Sequence, residues 1–178
     1  GLNHRQSSPT RKLLHEVVES LLTAQEDAMP RIAFAGIEFR RYQDKLFILQ
    51  ERALQAVVRE RYDWPADDPL HVHGQCITRV AAETSTIAIT SQLRGCDLAI
   101  RFRSGGESLR PAGRAHTRSL KKLLQQEGVP PWDRHSLPLF YLGDELVAVA
   151  DLFIADSVKA RPGEQGWRIF IEHTTVRV

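Results

Sequence analysis

The chain has 178 residues, 42% of them apolar and 26% charged, with a formal net charge of +2. That length makes one ordinary domain or two small ones, excludes a large multidomain machine, and buries enough surface to fold without staples. No apolar run approaches the roughly 20 residues that span a bilayer, no signal-peptide pattern opens the chain, and Cys76 and Cys96 are too few for a disulfide scaffold, so the expectation is a reducing, cytoplasmic protein without membrane partners. Gly1 stands first, which allows either a processed protein or an excised piece of a longer one.

Residues 1–7 are polar. Ser8 then reads as a helix cap with Pro9 at the first helical position. Leu13, Leu14, Val17, Val18, Leu21 and Leu22 follow at the spacing of one buried helical face. The helix is expected to end before Met29-Pro30, because proline pushes its predecessor out of helical dihedrals. Strands at 31–34, 37–42 and 46–49, joined by turns at Ala35-Gly36 and Gln43-Asp44, predict an antiparallel meander. Between 51 and 68 the pattern breaks: Leu54, Val57 and Val58 suggest a short helix, and Trp64-Pro65-Ala66-Asp67-Asp68-Pro69 reads as a connector.

The later chain is strand-rich, with strands expected at 70–73, 76–80, 86–90, 97–103, 137–141, 146–154 and 167–172. Short strands spaced by turn residues argue for a β-sandwich or a small barrel. One helix interrupts them, with Leu120, Leu123 and Leu124 as its buried stripe and Gly128 as its stop. Val129-Pro130-Pro131-Trp132 is expected to leave it in an extended path. The resulting fold class is α+β, organised as 1–50 (helix plus antiparallel strands), 51–68 (connector) and 69–178 (β-rich domain). No repeat or low-complexity tract interrupts this organisation.

The modest net charge hides a local excess. From Arg101 to Lys122 stand Arg101, Arg103, Arg110, Arg114, Arg118, Lys121 and Lys122 against the single acid Glu107, so the rest of the chain is net acidic. Such localisation points to a polyanionic partner. Alternation over 98–103 turns Leu98, Ile100 and Phe102 inward and puts Arg101 and Arg103 on the opposite face. Neighbouring arginines repel unless an anion or carboxylate lies close, and a solvated edge that deters strand pairing is the plainer reading. Arg118 and Lys122 are expected as i, i+4 neighbours on the helix with Lys121 beside them. Together with Arg110 and Arg114 they make a plausible phosphate-tracking surface, because guanidinium forks match phosphate oxygens and lysines add point charge.

Other constellations are weaker. Ser104-Gly105-Gly106-Glu107-Ser108 resembles the pyrophosphatase loop of adenylating enzymes, but Glu107 stands where an Asp is required, the spacing is one residue short, and no helix follows to receive a phosphate. The glycines read as a tight turn that permits positive φ or close approach of another backbone. His71 and His73 share an expected strand face with Cys76 beyond, yet lack the fourth ligand of a zinc site. No G-x-S-x-G elbow accompanies His116 or His135. Gly143-Asp144 is read as a hairpin turn, and Glu145 and Asp151 add carboxylates without a partner base. Trp132 reads as core, with an aromatic platform for a base as the alternative.

The stretch 101–151 is similar to the C-terminal domain of bacterial tRNA(Ile)-lysidine synthetase. The likeness rests on Arg101-Phe102-Arg103-Ser104-Gly105-Gly106-Glu107, Arg118-Ser119-Leu120-Lys121-Lys122-Leu123, Gly128-Val129-Pro130-Pro131-Trp132-Asp133-Arg134, Leu137-Pro138-Leu139 and Leu146-Val147-Ala148-Val149. Upstream, 27–49, with Phe39-Arg40-Arg41-Tyr42 at its centre, resembles the end of the family's substrate-binding domain. The resemblance implies a ligase that uses ATP with Mg to adenylate C2 of the wobble cytidine in an isoleucine tRNA with a CAU anticodon. Lysine then displaces AMP to give lysidine. It implies that the adenylating domain, which carries the family's own Ser-Gly-Gly-x-Asp-Ser loop, lies outside this chain. The chain would then be an excised C-terminal portion, inactive alone, partnered by tRNA and by its own N-terminal catalytic domain, with a homodimer left open. It also implies a layered β-sandwich similar to a domain of the phenylalanyl-tRNA synthetase β subunit. The residues expected to grip tRNA are Arg101, Arg103, Arg110, Arg114, Arg118, Lys121, Lys122 and Arg134, with Gly105 and Gly106 letting the loop approach the backbone. No catalytic residue, cofactor-binding residue or metal ligand is assigned. A protein-interaction or scaffolding module whose basic face meets an acidic partner is the alternative.

Overall fold

The architecture comes from a computed structural model that describes residues 11–23, 29–34, 36–50, 61–65, 68–82 and 88–173. The chain divides into two units, Gly1–Ala56 and Val57–Val178. Antiparallel sheets dominate and helices are few, which makes the fold α+β.

In the first unit, helix α1 (Arg11–Thr23) precedes strands β1 (Arg31–Phe34), β2 (Ile37–Tyr42) and β3 (Lys45–Gln50), paired antiparallel in the order β1-β2-β3. The meander therefore forms where alternation predicts it. The cap expected at Ser8-Pro9 and the short helix expected around Leu54, Val57 and Val58 lie outside the described residues. Leu21 of α1 is buried with Phe39, and Ile32, the cross-strand partner of Phe39, packs against both. Arg41 fastens helix to sheet: its Nη1 donates to the Leu21 carbonyl at 3.2 Å and its Nε to the Gln43 carbonyl at 3.2 Å. One of the carbonyls that the end of a helix leaves unsatisfied is thereby used. Glu38 is fully buried and ion-paired with Arg31 and with Arg40. The hydrogen bond from Arg40 holds its carboxyl below the usual range against the opposing effect of burial.

The second unit contains β4 (Tyr62–Trp64), β5 (Leu70–Val72), β6 (Gln75–Ala82), β7 (Ile89–Thr90), β8 (Leu98–Phe102), β9 (Ser108–Leu109) and β10 (Arg118–Ser119). Helix α2 (Leu120–Gln126) follows, then β11 (Pro138–Leu142), β12 (Glu145–Val149), β13 (Phe153–Ile154) and β14 (Gly166–His173). One sheet runs β13-β12-β11-β8-β4, a second runs β5-β6-β14-β7, and β9 pairs with β10. Buried residues of both larger sheets and of α2 form one apolar cluster. Leu120, Leu123 and Leu124 are each fully buried within it, worth about 1.5–3 kcal/mol apiece relative to exposure.

Several expectations change. Trp64 belongs to no connector: it ends strand β4, pairs with Leu98, and is only 1% exposed. Its ring lies 5.4 Å from that of Phe140 and 6.5 Å from that of Trp167, and its Nε1 donates to the Asp68 carbonyl at 2.8 Å. The Arg79 guanidinium sits 4.6 Å from the centroids of both Trp64 and Trp167 and donates to the carbonyls of Arg94 and Cys96, so this cation serves the core. The strand expected over 146–154 is two strands, because Ala150 adopts φ 46° and Leu152 N–H turns back to the Val149 carbonyl at 3.0 Å. The strand expected over 70–73 stops at Val72, since His73 and Gly74 take φ 49° and 72°, the pair of positive values that a tight hairpin turn needs. Pro130 to Ser136 is a succession of turns and not an extended path, closed by Asp133 N–H to the Pro130 carbonyl and Ser136 N–H to the Asp133 carbonyl, each at 3.1 Å. Gly128 does end α2, with φ 72°. No helix among the described residues is long and apolar enough to cross a membrane, and both cysteines are free thiols.

Candidate nucleic-acid interface

The basic segment begins on β8, where strand alternation turns Arg101 away from the buried Ile100 and Phe102. Its guanidinium stacks 4.6 Å from the centroid of Tyr141, and its Nη2 reaches Asp144 Oδ1 at 3.4 Å. Asp144 is available because Gly143, at φ 61°, turns the β11–β12 hairpin there, as the sequence predicts. Burial raises the Tyr141 hydroxyl above its ordinary pKa, the Glu107 carboxylate adds to the rise, and Arg101 opposes it.

Arg103 lies just past the strand and is largely covered, its side chain 13% exposed and 3.5 Å from Glu107 Oε2. Glu107 folds into its own loop: Oε1 accepts the amides of Ser104 and Gly105, each at 2.7 Å, and the Ser104 hydroxyl at 3.3 Å. Burial pushes the Glu107 carboxyl up, but the amides of Gly105, Ser104 and Glu107 itself, with Arg103, bring it below the usual range. Gly105 and Gly106 adopt φ 104° and 85°, a conformation that requires glycine. A Cβ at either would meet open space, so the need is conformational within this chain while the outer side stays accessible. The likeness to an adenylating loop ends here, because the anion in the loop is the protein's own carboxylate.

Arg110 pairs with Asp156 at 2.7 Å, and Asp156 also accepts the Gly113 amide at 3.2 Å. Arg114 Nη1 donates to Gln126 Oε1 at 3.2 Å, which brings it beside α2. Arg118 is not on the helix. It pairs with Leu109 in the β9–β10 ladder, and Ser119 caps α2 with extended dihedrals of φ −63° and ψ 137°. The expected helical i, i+4 relation to Lys122 therefore does not exist, although only Ser119 separates Arg118 from the helix that carries Lys121 and Lys122. All three are exposed. Arg134 is a further correction: it is 6% exposed and its Nε donates to the Val129 carbonyl at 2.9 Å, so it clamps the turn after α2 from inside.

Three of the seven cations between Arg101 and Lys122 thus face carboxylates, while none of the described residues pairs a carboxylate with Arg114, Arg118, Lys121 or Lys122. The sequence pattern marks Asp144 only as a hairpin-turn residue and does not single out Asp156; they sit 43 and 46 positions from the arginines they hold. The β11–β12 hairpin and the turn after β13, whose Asp156 N–H donates to the Arg110 carbonyl at 2.9 Å, bring them there. Elsewhere, His71 Nε2 lies 3.9 Å from Cys76 Sγ, while His73 sits at the hairpin turn against Phe102. No group of metal-ligating side chains occurs among the described residues. Trp132 is half-buried.

The family model of the TilS substrate C-terminal domain matches residues 98–171, and that of the TilS substrate binding domain matches residues 2–47. The tRNA(Ile)-lysidine synthase of Coxiella burnetii is 34% identical over 165 residues, covering 92% of this chain and 36% of that protein. The tRNA(Ile)-lysidine synthase of Serratia proteamaculans is 33% identical over 162 residues, covering 90% and 36%. The chain therefore spans about a third of the length of these relatives. A solved structure, "Crystal structure of TILS C-terminal domain", is similar at 16% identity and a TM-score of 0.49, covering 67% of this chain and all of that one. With one domain of this family matched before the break in the sequence pattern and a second over the basic segment, the chain belongs to the tRNA(Ile)-lysidine synthase family.

Proposed function

We propose that this chain holds an isoleucine tRNA with a CAU anticodon for conversion of its wobble cytidine to lysidine. In this reading ATP, with Mg, and lysine are used by an N-terminal catalytic domain of the same enzyme in the cytoplasm of a bacterium, and the chain is inactive without that domain. The family's domains support the assignment to tRNA. The observation that carries it is the set of cations around α2, namely Arg114, Arg118, Lys121 and Lys122, that meet no carboxylate among the described residues. A layered β-sandwich similar to the phenylalanyl-tRNA synthetase β-subunit domain belongs to the same proposal, supported by the single core shared between the two larger sheets.

Cations of this kind position the RNA without reading its sequence. Choice of the correct tRNA then falls to shape, exposed bases and 2′-hydroxyls. If each of the four cations neutralises one phosphate, log affinity falls against log salt with a slope of about −3 to −4. Replacing Arg118 and Lys122 together with Ala flattens that slope by about 2. Titration of the chain with isoleucine tRNA between low and physiological salt checks both values. A wild-type slope near zero, or binding unchanged in the double variant, removes this surface as the tRNA site. Formation of AMP from ATP by the chain alone would overturn its assignment as the non-catalytic part. Equal competition by tRNA and a generic polyanion favours a basic docking face for an acidic partner.

A further inference from the structure

The loop 104–107 has the backbone of an anion site and an occupant of its own. Two consecutive amides, Ser104 and Gly105, converge at 2.7 Å on one oxygen, and two successive positive-φ glycines hold the turn open. Converging amides of this kind form a concavity that suits phosphate or carboxylate alike. The occupant is Glu107, whose side chain is only 8% exposed and whose other oxygen is set against Arg103. That ion pair, at 3.5 Å, misses hydrogen-bond geometry on both Arg103 Nε and Glu107 Oε2. The backbone of Glu107 is committed as well, since its carbonyl accepts Leu120 N–H at 2.9 Å, at the first turn of the basic helix.

We propose that Glu107 is a built-in phosphate surrogate: it fills the anion nest of Ser104 and Gly105 and withholds Arg103, so that RNA meets the cations around α2 instead. This rests on the reading of that face as a tRNA surface. An empty nest with a released arginine beside it would take any backbone phosphate, and phosphate contacts raise affinity for every RNA alike. The resident carboxylate therefore limits indiscriminate binding and keeps discrimination with the rest of the surface. Covalent attachment gives Glu107 the advantage over a phosphate from solution, because it closes the site without losing the freedom of a second molecule.

The test is Glu107→Gln in the 178-residue chain. The amide oxygen still accepts from Ser104 and Gly105, but the NH2 now faces the Arg103 guanidinium, donor against donor, and the arginine turns outward. Affinity for isoleucine tRNA should rise about three- to tenfold at low salt and the salt slope should steepen by about 0.7–0.9. An unrelated RNA duplex should tighten by the same factor, and the variant should leave a heparin column at higher salt. In the double variant Glu107→Gln with Arg103→Ala the gain should disappear. With thermal unfolding showing the variant folded, unchanged or weaker binding to RNA and unchanged heparin elution overturn the proposal. The heparin arm reads the released arginine without any tRNA. A protein that fails to bind tRNA at all therefore sinks the proposed function and not this inference.

Discussion

Arg101, Arg103 and Arg110 differ from Arg114, Arg118, Lys121 and Lys122 in what the fold places against them. The first three come from β8, the glycine loop and β9's flank, where a hairpin turn, a loop glutamate and the 3-10 turn after β13 supply Asp144, Glu107 and Asp156. The last four surround α2, whose buried leucines point its polar side to solvent, and no carboxylate is brought near them among the described residues. A run of cations in a sequence is thus not yet a basic surface. Opposite charges from distant positions can cancel part of it, and the part left uncancelled is where counterion release is to be expected.

The comparison breaks most completely if α2 loses its seat. Leu123→Ala removes a fully buried side chain and should cost about 2–5 kcal/mol of stability, seen as an earlier midpoint in urea. Where the unit remains folded, its tRNA affinity should fall although no charge has changed. An unaffected midpoint would mean that the helix is not anchored through its leucines.

Acid sharpens the other half. Glu107 has a folded-state pKa below its ordinary value of 4.5, so it is ionised and stabilising above that value, and its contribution is lost as pH falls through the lower, folded value. Glu38, lowered by its two arginines, adds the same sign in the first unit. Thermal unfolding followed from pH 6 toward pH 3 should show falling stability, and Glu107→Gln, which does not titrate, should fall less steeply. Equal slopes for the two proteins would remove Glu107 as a source of the acid sensitivity.

The smallest effect is expected from a paired, half-exposed cation. Arg110→Ala breaks the pair with Asp156 and should change stability by no more than about 1 kcal/mol. Affinity for tRNA should stay within about twofold, because that charge is already neutralised. A loss as large as that from the Arg118 and Lys122 double variant would show that paired and unpaired cations contribute alike and would end the distinction.

Much of the local structure was legible from residue pattern. The meander of β1 to β3, the leucine stripe of α2, its stop at Gly128 and the Gly143-Asp144 hairpin all follow from short-range rules, since period, turn residues and positive φ act within a few positions. The resemblance carried by Arg101–Glu107 and Leu120–Trp132 also needed no coordinates, and two matched domains bear it out. What was illegible depended on partners far along the chain. Trp64 looked like part of a connector because Pro65 and two aspartates follow it, yet Leu98, Phe140 and Trp167 make its site. Arg134 looked like one more basic contact, until the turns after α2 drew it inside.

The amino-acid sequence by itself determined that the chain carries a local excess of positive charge, a leucine-anchored basic helix and a glycine loop with positive φ. These are properties of composition and of neighbouring residues, and steric and periodic rules suffice for them. Tertiary structure alone decided which of the cations meet a carboxylate among the described residues. Coulomb attraction weakens with distance and is screened by salt beyond about 10 Å, and sheet register and loop closure bring Asp144, Glu107 and Asp156 into direct contact with their arginines.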